Sequence, residues 1–236
     1  MNINGSTALV TGTNRGIGRH LAAQLVERGA KVYATARRPE LIDLDGVEKL
    51  ALDITSPKSV AEAARIASDV DLLVNNAGIA TPALLLGDLE GVRTELDTNF
   101  WGTLSVIREF APILAANGGG AIVNIASGTS WMTMPGGSAY SVSKAAQWSM
   151  SNGLRLELRD QATSVISVHL GSADTDMGRG VPLDKIDPAD VARATLDGVE
   201  RDDWEVIVDE QAALVKRMLS GDPKDFYAMV DQMLAS

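Results

Sequence analysis

Seven short apolar runs, at residues 7–10, 31–35, 47–51, 71–74, 121–125, 164–170 and 205–208, alternate with segments whose apolar residues recur at helical spacing, near 17–28, 57–68, 97–115, 140–160 and 188–200. A strand can pair parallel to its predecessor only after a crossover, and a helix is the usual one. The alternation therefore predicts βαβ units in an α/β, doubly wound parallel sheet with helices on both faces. No repeat, low-complexity tract or linker divides the 236 residues, so one domain over 1–236 is expected. Open parallel sheets bind ligands at the carboxyl ends of their strands. The residues that follow each run therefore carry the chemistry.

After the first run stands Thr11-Gly12-Thr13-Asn14-Arg15-Gly16-Ile17-Gly18, which opens the first helical segment. Glycines there let the backbone approach a pyrophosphate, and the helix N-terminus offers unpaired N–H groups and the positive end of its dipole. The spacing is GxxxGxG, not the GxGxxG of the commoner Rossmann dinucleotide fingerprint. Where an NAD-using Rossmann-like domain carries an acidic residue for the ribose 2′-hydroxyl, the second run ends in Ala36, Arg37 and Arg38. Arg37 and Arg15 suit a 2′-phosphate, each charge-assisted hydrogen bond being worth about 1.5–3 kcal/mol. Arg38 reads as a solvated surface charge. Asp53 and Ile54 follow the third run, and Asn75-Asn76-Ala77-Gly78 ends the fourth.

Ser127 follows the fifth run, and Tyr140 and Lys144, four apart, project from one face of the next helical segment. An isolated tyrosine titrates near ~10, but a fixed ammonium beside it favours the phenolate and lowers that value. Tyr140 is then able to exchange a proton with a substrate oxygen that Ser127 also hydrogen-bonds.

The glycine loop, the Asn-Asn-Ala-Gly turn, Asn99, and Ser127, Tyr140 and Lys144 at separations of 13 and 4 together resemble the short-chain dehydrogenase/reductase family, in its compact single-domain, NADP-using branch, from Ser6 to Met177 at least. The resemblance implies NADP(H) as cofactor, held by Gly12, Asn14, Arg15, Gly16, Ile17, Gly18, Arg37, Asp53, Ile54, Asn76, Ala77, Gly78, Tyr140, Lys144, Gly171 and Thr175. In that picture Asp53 bonds the adenine amino group, Asn75 to Gly78 line the adenosine side, and Thr175 contacts the carboxamide or pyrophosphate. Hydride passes between the nicotinamide and a carbonyl carbon while Tyr140 protonates the oxygen. Lys144 lowers the tyrosine pKa and bonds the ribose, and Asn99 holds a water in a proton relay. Related proteins pair through the 97–115 and 140–160 helices, which implies a homodimer or homotetramer. Leu170-Gly171 stands where the family usually has Pro-Gly, restoring an N–H and a freer φ. His169, inside a strand-like run, is expected to be structural.

Residues 177–187, with Gly178, Gly180 and Pro182, read as a short substrate lid. Trp131, Met132 and Met134, with Leu84 to Leu86, fit either an apolar pocket or the core. Beyond the family pattern, 210–236 holds two amphipathic segments, 210–219 with Leu214, Val215, Met218 and Leu219, and 224–234 with Phe226, Tyr227, Met229, Val230, Met233 and Leu234. Such helices cover the sheet edge, close the substrate cleft or pack on a partner, and the sequence leaves the three open.

Composition removes several classes of function. Lys and Arg number 21 against 31 Asp and Glu, and the net charge of −10 disfavours nucleic acid and anionic membranes as partners. Without cysteine there are no disulfides, thiolate nucleophiles or thiolate metal sites. A metal is not called for, because the phenol and ammonium supply what a Lewis acid would. The N-terminus lacks a basic stretch followed by an apolar one, and no apolar run approaches the ~18 residues needed to span a bilayer, so the cytoplasm is the expected location. The expected function is NADPH-dependent reduction of a ketone or aldehyde, or its reverse, on a small carbonyl or alcohol substrate. The alternatives are an enzyme acting mainly as an alcohol dehydrogenase, and an NADP(H)-binding sensor or regulatory protein with an idle site.

Overall fold

The computed structural model describes residues 1–180 and 183–235, with 233–235 described by their backbone alone. The expectations for Pro182 and for the side chains of Met233 and Leu234 lie outside the described residues. The strands are β1 (Thr7–Thr11), β2 (Lys31–Ala36), β3 (Glu48–Ala51), β4 (Leu72–Asn75), β5 (Gly120–Ile125), β6 (Thr163–His169), β7 (Ser172–Ala173), β8 (Lys185–Ile186) and β9 (Glu205–Ile207). The helices are α1 (Gly16–Glu27), α2 (Pro57–Ile66), α3 (Leu89–Leu96), α4 (Thr103–Ala116), α5 (Ser138–Glu157), α6 (Pro188–Arg201), α7 (Glu210–Met218) and α8 (Pro223–Ala235). No helix among the described residues is long and apolar enough to cross a membrane.

Seven strands form one parallel sheet in the order β3-β2-β1-β4-β5-β6-β9. Side chains alternate across it, so Ala8 and Val10 pack in one layer with Leu21 and Leu25 of α1 and Val191 and Leu196 of α6. Leu9 packs in the other, with Val60 of α2, Phe110 and Leu114 of α4 and Leu154 of α5. Burial on both faces explains why the strands read as continuous apolar runs. The order reverses between β1 and β4, whose register pairs Ala8 with Leu72 and Val10 with Val74. The loops after those two strands therefore emerge side by side at the topological switch point.

The structure departs from the sequence reading in three places. The helix expected from 97 is preceded by α3, capped by Asp88, whose carboxylate accepts from the N–H groups of Glu90 (3.1 Å) and Gly91 (3.2 Å). A π-helical turn, Asp97–Gly102, then joins α3 to α4 and turns Asn99 inward. The segment expected as a lid ends in β8, which pairs Lys185 with Ser172 and Ile186 with Ala173 of β7, so its far end is tied down. The C-terminal region does form two helices. Asp209 caps the first by accepting from Ala212 N (2.8 Å), and its other oxygen accepts from Gly171 N (2.7 Å).

Candidate active site

The loop after β1 takes conformations that suit glycine, with φ of +74° at Gly12 and +57° at Gly16. Gly18 is needed for space: a Cβ there would lie 2.2 Å from the Gly12 oxygen and 2.4 Å from Asn76 Nδ2. Asn76 braces the loop, its Nδ2 donating to the carbonyls of Thr11 (2.9 Å) and Gly12 (3.0 Å). Thr11 Oγ1 in turn accepts from the N–H groups of Asn76 and Ala77, both at 2.9 Å. Helix α1 starts without a side-chain cap, so the positive end of its dipole opens into a cleft of ≈ 1610 Å³.

Gly12, Asn14, Arg15, Gly16, Ile17, Arg37, Asp53, Ile54, Asn76, Ala77, Gly78, Gly171 and Thr175 all line that cleft. Gly18 lies behind the loop and acts through packing. Asn75 also points away, donating from Nδ2 to Asn124 Oδ1 (2.9 Å) inside the sheet, because its position on β4 alternates into the interior. Arg38, read as a surface charge, lines the same end of the cleft as Arg37. Arg15 is paired with Asp176 at 3.0 Å on the exposed rim, and Asp53 accepts from Thr55 N (3.0 Å) and Thr55 Oγ1 (2.7 Å). Across the cleft, Thr175 Cγ2 would meet a Cβ at Gly16 at 3.3 Å, a tight contact at a position whose positive φ already favours glycine. In a chain of net charge −10, a glycine cradle, an uncapped helix start and three guanidinium groups fit a phosphorylated dinucleotide.

Ser127, Tyr140 and Lys144 line the other part of the cleft. Ser127 Oγ accepts from Thr129 N (3.1 Å) and Thr129 Oγ1 (2.9 Å), which fixes its hydroxyl. Lys144 Nζ lies 5.7 Å from the centre of the Tyr140 ring and donates to the Ile125 carbonyl (2.8 Å) and Gln147 Oε1 (2.9 Å). Loss of hydration pushes the Tyr140 phenol up to about 12, an effect that Ser127 opposes and the Glu95 carboxylate reinforces. Burial pushes Lys144 down to about 8, against the pull of Glu95. The expectation that Lys144 holds the phenol below its ordinary value is therefore not met in this arrangement. Desolvation governs both groups, and the ammonium directs its bonds to Ile125 and Gln147.

Asn99 is fully buried on the π turn and does not line the cleft. Its Oδ1 accepts from Ile79 N (2.9 Å), and its Nδ2 donates to Ile79 O (2.9 Å), Glu95 Oε2 (3.1 Å) and Ser143 Oγ (2.9 Å). It connects to Lys144 through two residues that sequence reasoning missed. Gln147 Nε2 donates to Thr103 Oγ1 (3.0 Å), and Thr103 Oγ1 donates to Asn99 O (2.9 Å). Glu95, also missed, is a fully buried carboxylate whose Oε1 accepts from Thr81 N (2.5 Å). The available signal was spacing: Gln147 stands three residues after Lys144, and Glu95 and Thr103 stand four to either side of Asn99, so each is a polar residue on an inward helix face.

The aromatic and C-terminal residues divide differently from either reading of them as one group. Trp131 stacks on His169, with ring centres 3.9 Å apart and planes at 18°, while Lys216 Nζ sits 4.4 Å over its ring. His169 is structural, its ring nitrogens 3.1 Å from Ser127 O and Ser167 Oγ, and burial pushes it down to about 4. Met132 and Met134 line the cleft, whereas Leu84 to Leu86 are exposed and belong to neither pocket nor core. Leu170 is buried, and its carbonyl accepts from Gly128 N (2.7 Å), tying the strand end to the loop that follows Ser127. Of the three places open to the tail, its helices take the cleft: Leu214 and Val215 of α7 and Phe226, Met229 and Val230 of α8 line it.

The family model for short chain dehydrogenases matches residues 6–185. A short-chain dehydrogenase of Penicillium crustosum is 40% identical over 186 residues, which is 72% of this chain and 66% of that one, so the chain spans just under two thirds of that relative. An uncharacterized oxidoreductase of Staphylococcus saprophyticus is 33% identical over 210 residues, 80% of this chain and 88% of that one. The crystal structure of a short chain dehydrogenase from Burkholderia cenocepacia J2315 in complex with NADP matches with a TM-score of 0.92 at 39% identity, over 97% of this chain and 98% of that one. Sequence and fold agree over most of the chain's length, and the chain belongs to the short-chain dehydrogenase family of oxidoreductases.

Proposed function

We propose that this protein is an NADPH-dependent oxidoreductase that reduces a ketone or aldehyde to the alcohol, or runs the reverse, within one catalytic domain. The observation that carries the reading is that Ser127, Tyr140 and Lys144 line one continuous cleft with the glycine loop, Arg15, Arg37 and Arg38. Bound NADPH would supply the hydride. The N–H groups opening α1 and the guanidinium groups hold its phosphates, with Arg37 and Arg15 beside the 2′-phosphate. Ser127, oriented by Thr129, polarises the carbonyl oxygen. A phenol pushed up to about 12 stays protonated at neutral pH, so Tyr140 is available as the acid. The Lys144 cation stabilises the negative charge left on the Tyr140 phenolate once its proton has gone to the carbonyl oxygen. Gln147, Thr103 and Asn99 hold the ammonium in place from behind.

The test is NADPH consumption against a panel of aldehydes, aryl ketones, ketoesters and cyclic ketones, with Tyr140→Phe run beside the wild type. Removing a general acid costs about 10²–10⁴-fold in turnover. NADPH affinity should stay within a few-fold, since the ring remains. Substantial turnover by the phenylalanine variant would sink the assignment of Tyr140 as the acid.

A further inference from the structure

Past Ser127 the wall of the cleft changes character. Met134, Leu214, Val215, Phe226, Met229 and Val230 line this end, the last five of them from α7 and α8. The wall is held in place by contacts with the catalytic loop. A Cβ on Gly128 would lie 3.7 Å from Ala212 Cα, so α7 packs directly on the turn after Ser127. Tyr227 Oη accepts from Thr133 N (3.2 Å), which ties α8 to the same loop. Lys216, on α7, is fixed over Trp131 and paired with Glu205 at 2.6 Å.

Among the described residues, no charged side chain of α7 or α8 lines the cleft, and the charged groups next to this end sit on its exposed rim. Among the described residues, the charged side chain of the lid that lines the cleft is Arg179; it pairs at 2.7 Å with Asp176, the cleft-lining residue just before the lid, which also holds Arg15. Lys216 and Glu205 satisfy one another and do not line the cleft. Gln211, the polar side chain of α7 at this end, donates from Nε2 to Asp184 O (3.0 Å). A carboxylate or phosphate entering here would lose its hydration without gaining a cation, and a polyol would leave hydroxyls unpaired. An alkyl or aryl group would lose nothing, and the two methionines adapt to its shape.

Resting on the carbonyl-reductase reading above, we propose that the chamber closed by α7 and α8 takes an uncharged, apolar ketone, and that these C-terminal helices are its specificity wall. The chain is thereby set against keto acids, sugars and acyl thioesters of charged carriers as substrates.

The experiment uses the full chain with NADPH and compares kcat/KM for methyl ketones from butanone to octanone with keto acids of matched length and with an aldose. Each buried methylene should raise kcat/KM about four-fold until the chamber is full. The matched keto acid should be at least about 100-fold poorer. Met229→Lys and Leu214→Lys, both at partly exposed positions where a lysine can be accommodated, should lower octanone turnover about ten-fold more than butanone turnover while NADPH affinity is retained. A flat response to chain length, a preference for the keto acid or aldose, or equal losses on both ketones in both variants would overturn the proposal. Calorimetric titration of the NADP⁺-loaded protein with butanol and octanol separates the two readings. Tighter binding of octanol, lost in Met229→Lys, supports the apolar chamber even if no ketone turns over, in which case only the reductase reading fails. Equal binding of the two alcohols overturns the chamber.

Discussion

Replacing Gln147 with leucine removes one of the two acceptors that hold Lys144. The side chain is 1% exposed, with Oε1 2.9 Å from Lys144 Nζ and Nε2 3.0 Å from Thr103 Oγ1. Leucine is similar in volume and a good helix former, so the change isolates these two hydrogen bonds. A hydrogen bond to a charged group is worth about 1.5–3 kcal/mol, and each pKa unit corresponds to about 1.4 kcal/mol. Lys144, already pushed down to about 8 by burial, should therefore fall by a further ~1–2 units and be roughly half to nine-tenths neutral at pH 7. The variant should also lose about 2–3 kcal/mol of stability through the polar groups left unpaired. The assay is the pH dependence of kcat/KM for NADPH-driven ketone reduction, with Gln147→Glu measured alongside. A carboxylate at that distance raises the lysine pKa, so the two variants should move the falling alkaline limb in opposite directions, toward acid for leucine and toward alkali for glutamate. Three superimposable profiles would refute the reasoning that Gln147 sets the charge of Lys144.

Gly18→Ala places a Cβ 2.2 Å from a backbone carbonyl and 2.4 Å from the braced Asn76 amide, so the loop must shift. Overpacking of this kind costs about 1–3 kcal/mol, and fluorescence titration should show NADPH affinity about 5- to 150-fold weaker, while an affinity within two-fold would contradict the packing role. Arg37→Asp should cut the NADPH-over-NADH ratio of kcat/KM by roughly 10–150-fold, and an unchanged ratio would remove Arg37 from the 2′-phosphate. His169 titrates at about 4 when folded against an ordinary 6.5, so below pH 6.5 the unfolded chain takes up the proton first. Stability attributable to this residue is intact above pH 6.5 and lost as pH falls from 6.5 to 4, by up to about 3 kcal/mol. Denaturant midpoints across that window should fall less steeply in His169→Gln, and identical slopes would count against the assignment.

Much of the fold and part of the site were legible in the sequence because their signals are local. The buried parallel strands announced themselves as apolar runs, and the glycine loop, Ser127 and the Tyr140–Lys144 pair sat where strand ends and one helix face required. Helix α3 was hidden because Gly91 weakens its first turn, although Asp88 is a sound cap for it. Arg38 is exposed, as a surface charge is expected to be, and that its position also borders the cleft depends on where the loop after β2 runs. Glu95, Thr103 and Gln147 escaped notice because an inward polar residue on a helix carries meaning only when its partner is known, and the residues that bind Lys144 into the network come from three separate segments of the chain.

Sequence alone determined the seven strands of the main sheet, the glycine loop that opens α1 and the helical spacing of Tyr140 and Lys144, because each depends on periodicity or spacing within a short stretch. Tertiary structure alone decided that Tyr140 is raised and Lys144 lowered, since desolvation depends on everything packed around them. It also decided that Trp131 supports His169 while Met134 faces the cleft, and that residues beyond 210 wall part of that cleft. An amphipathic helix specifies that it must bury a face. Only the surface that meets that face in the folded chain, here the loop carrying Ser127, specifies against what.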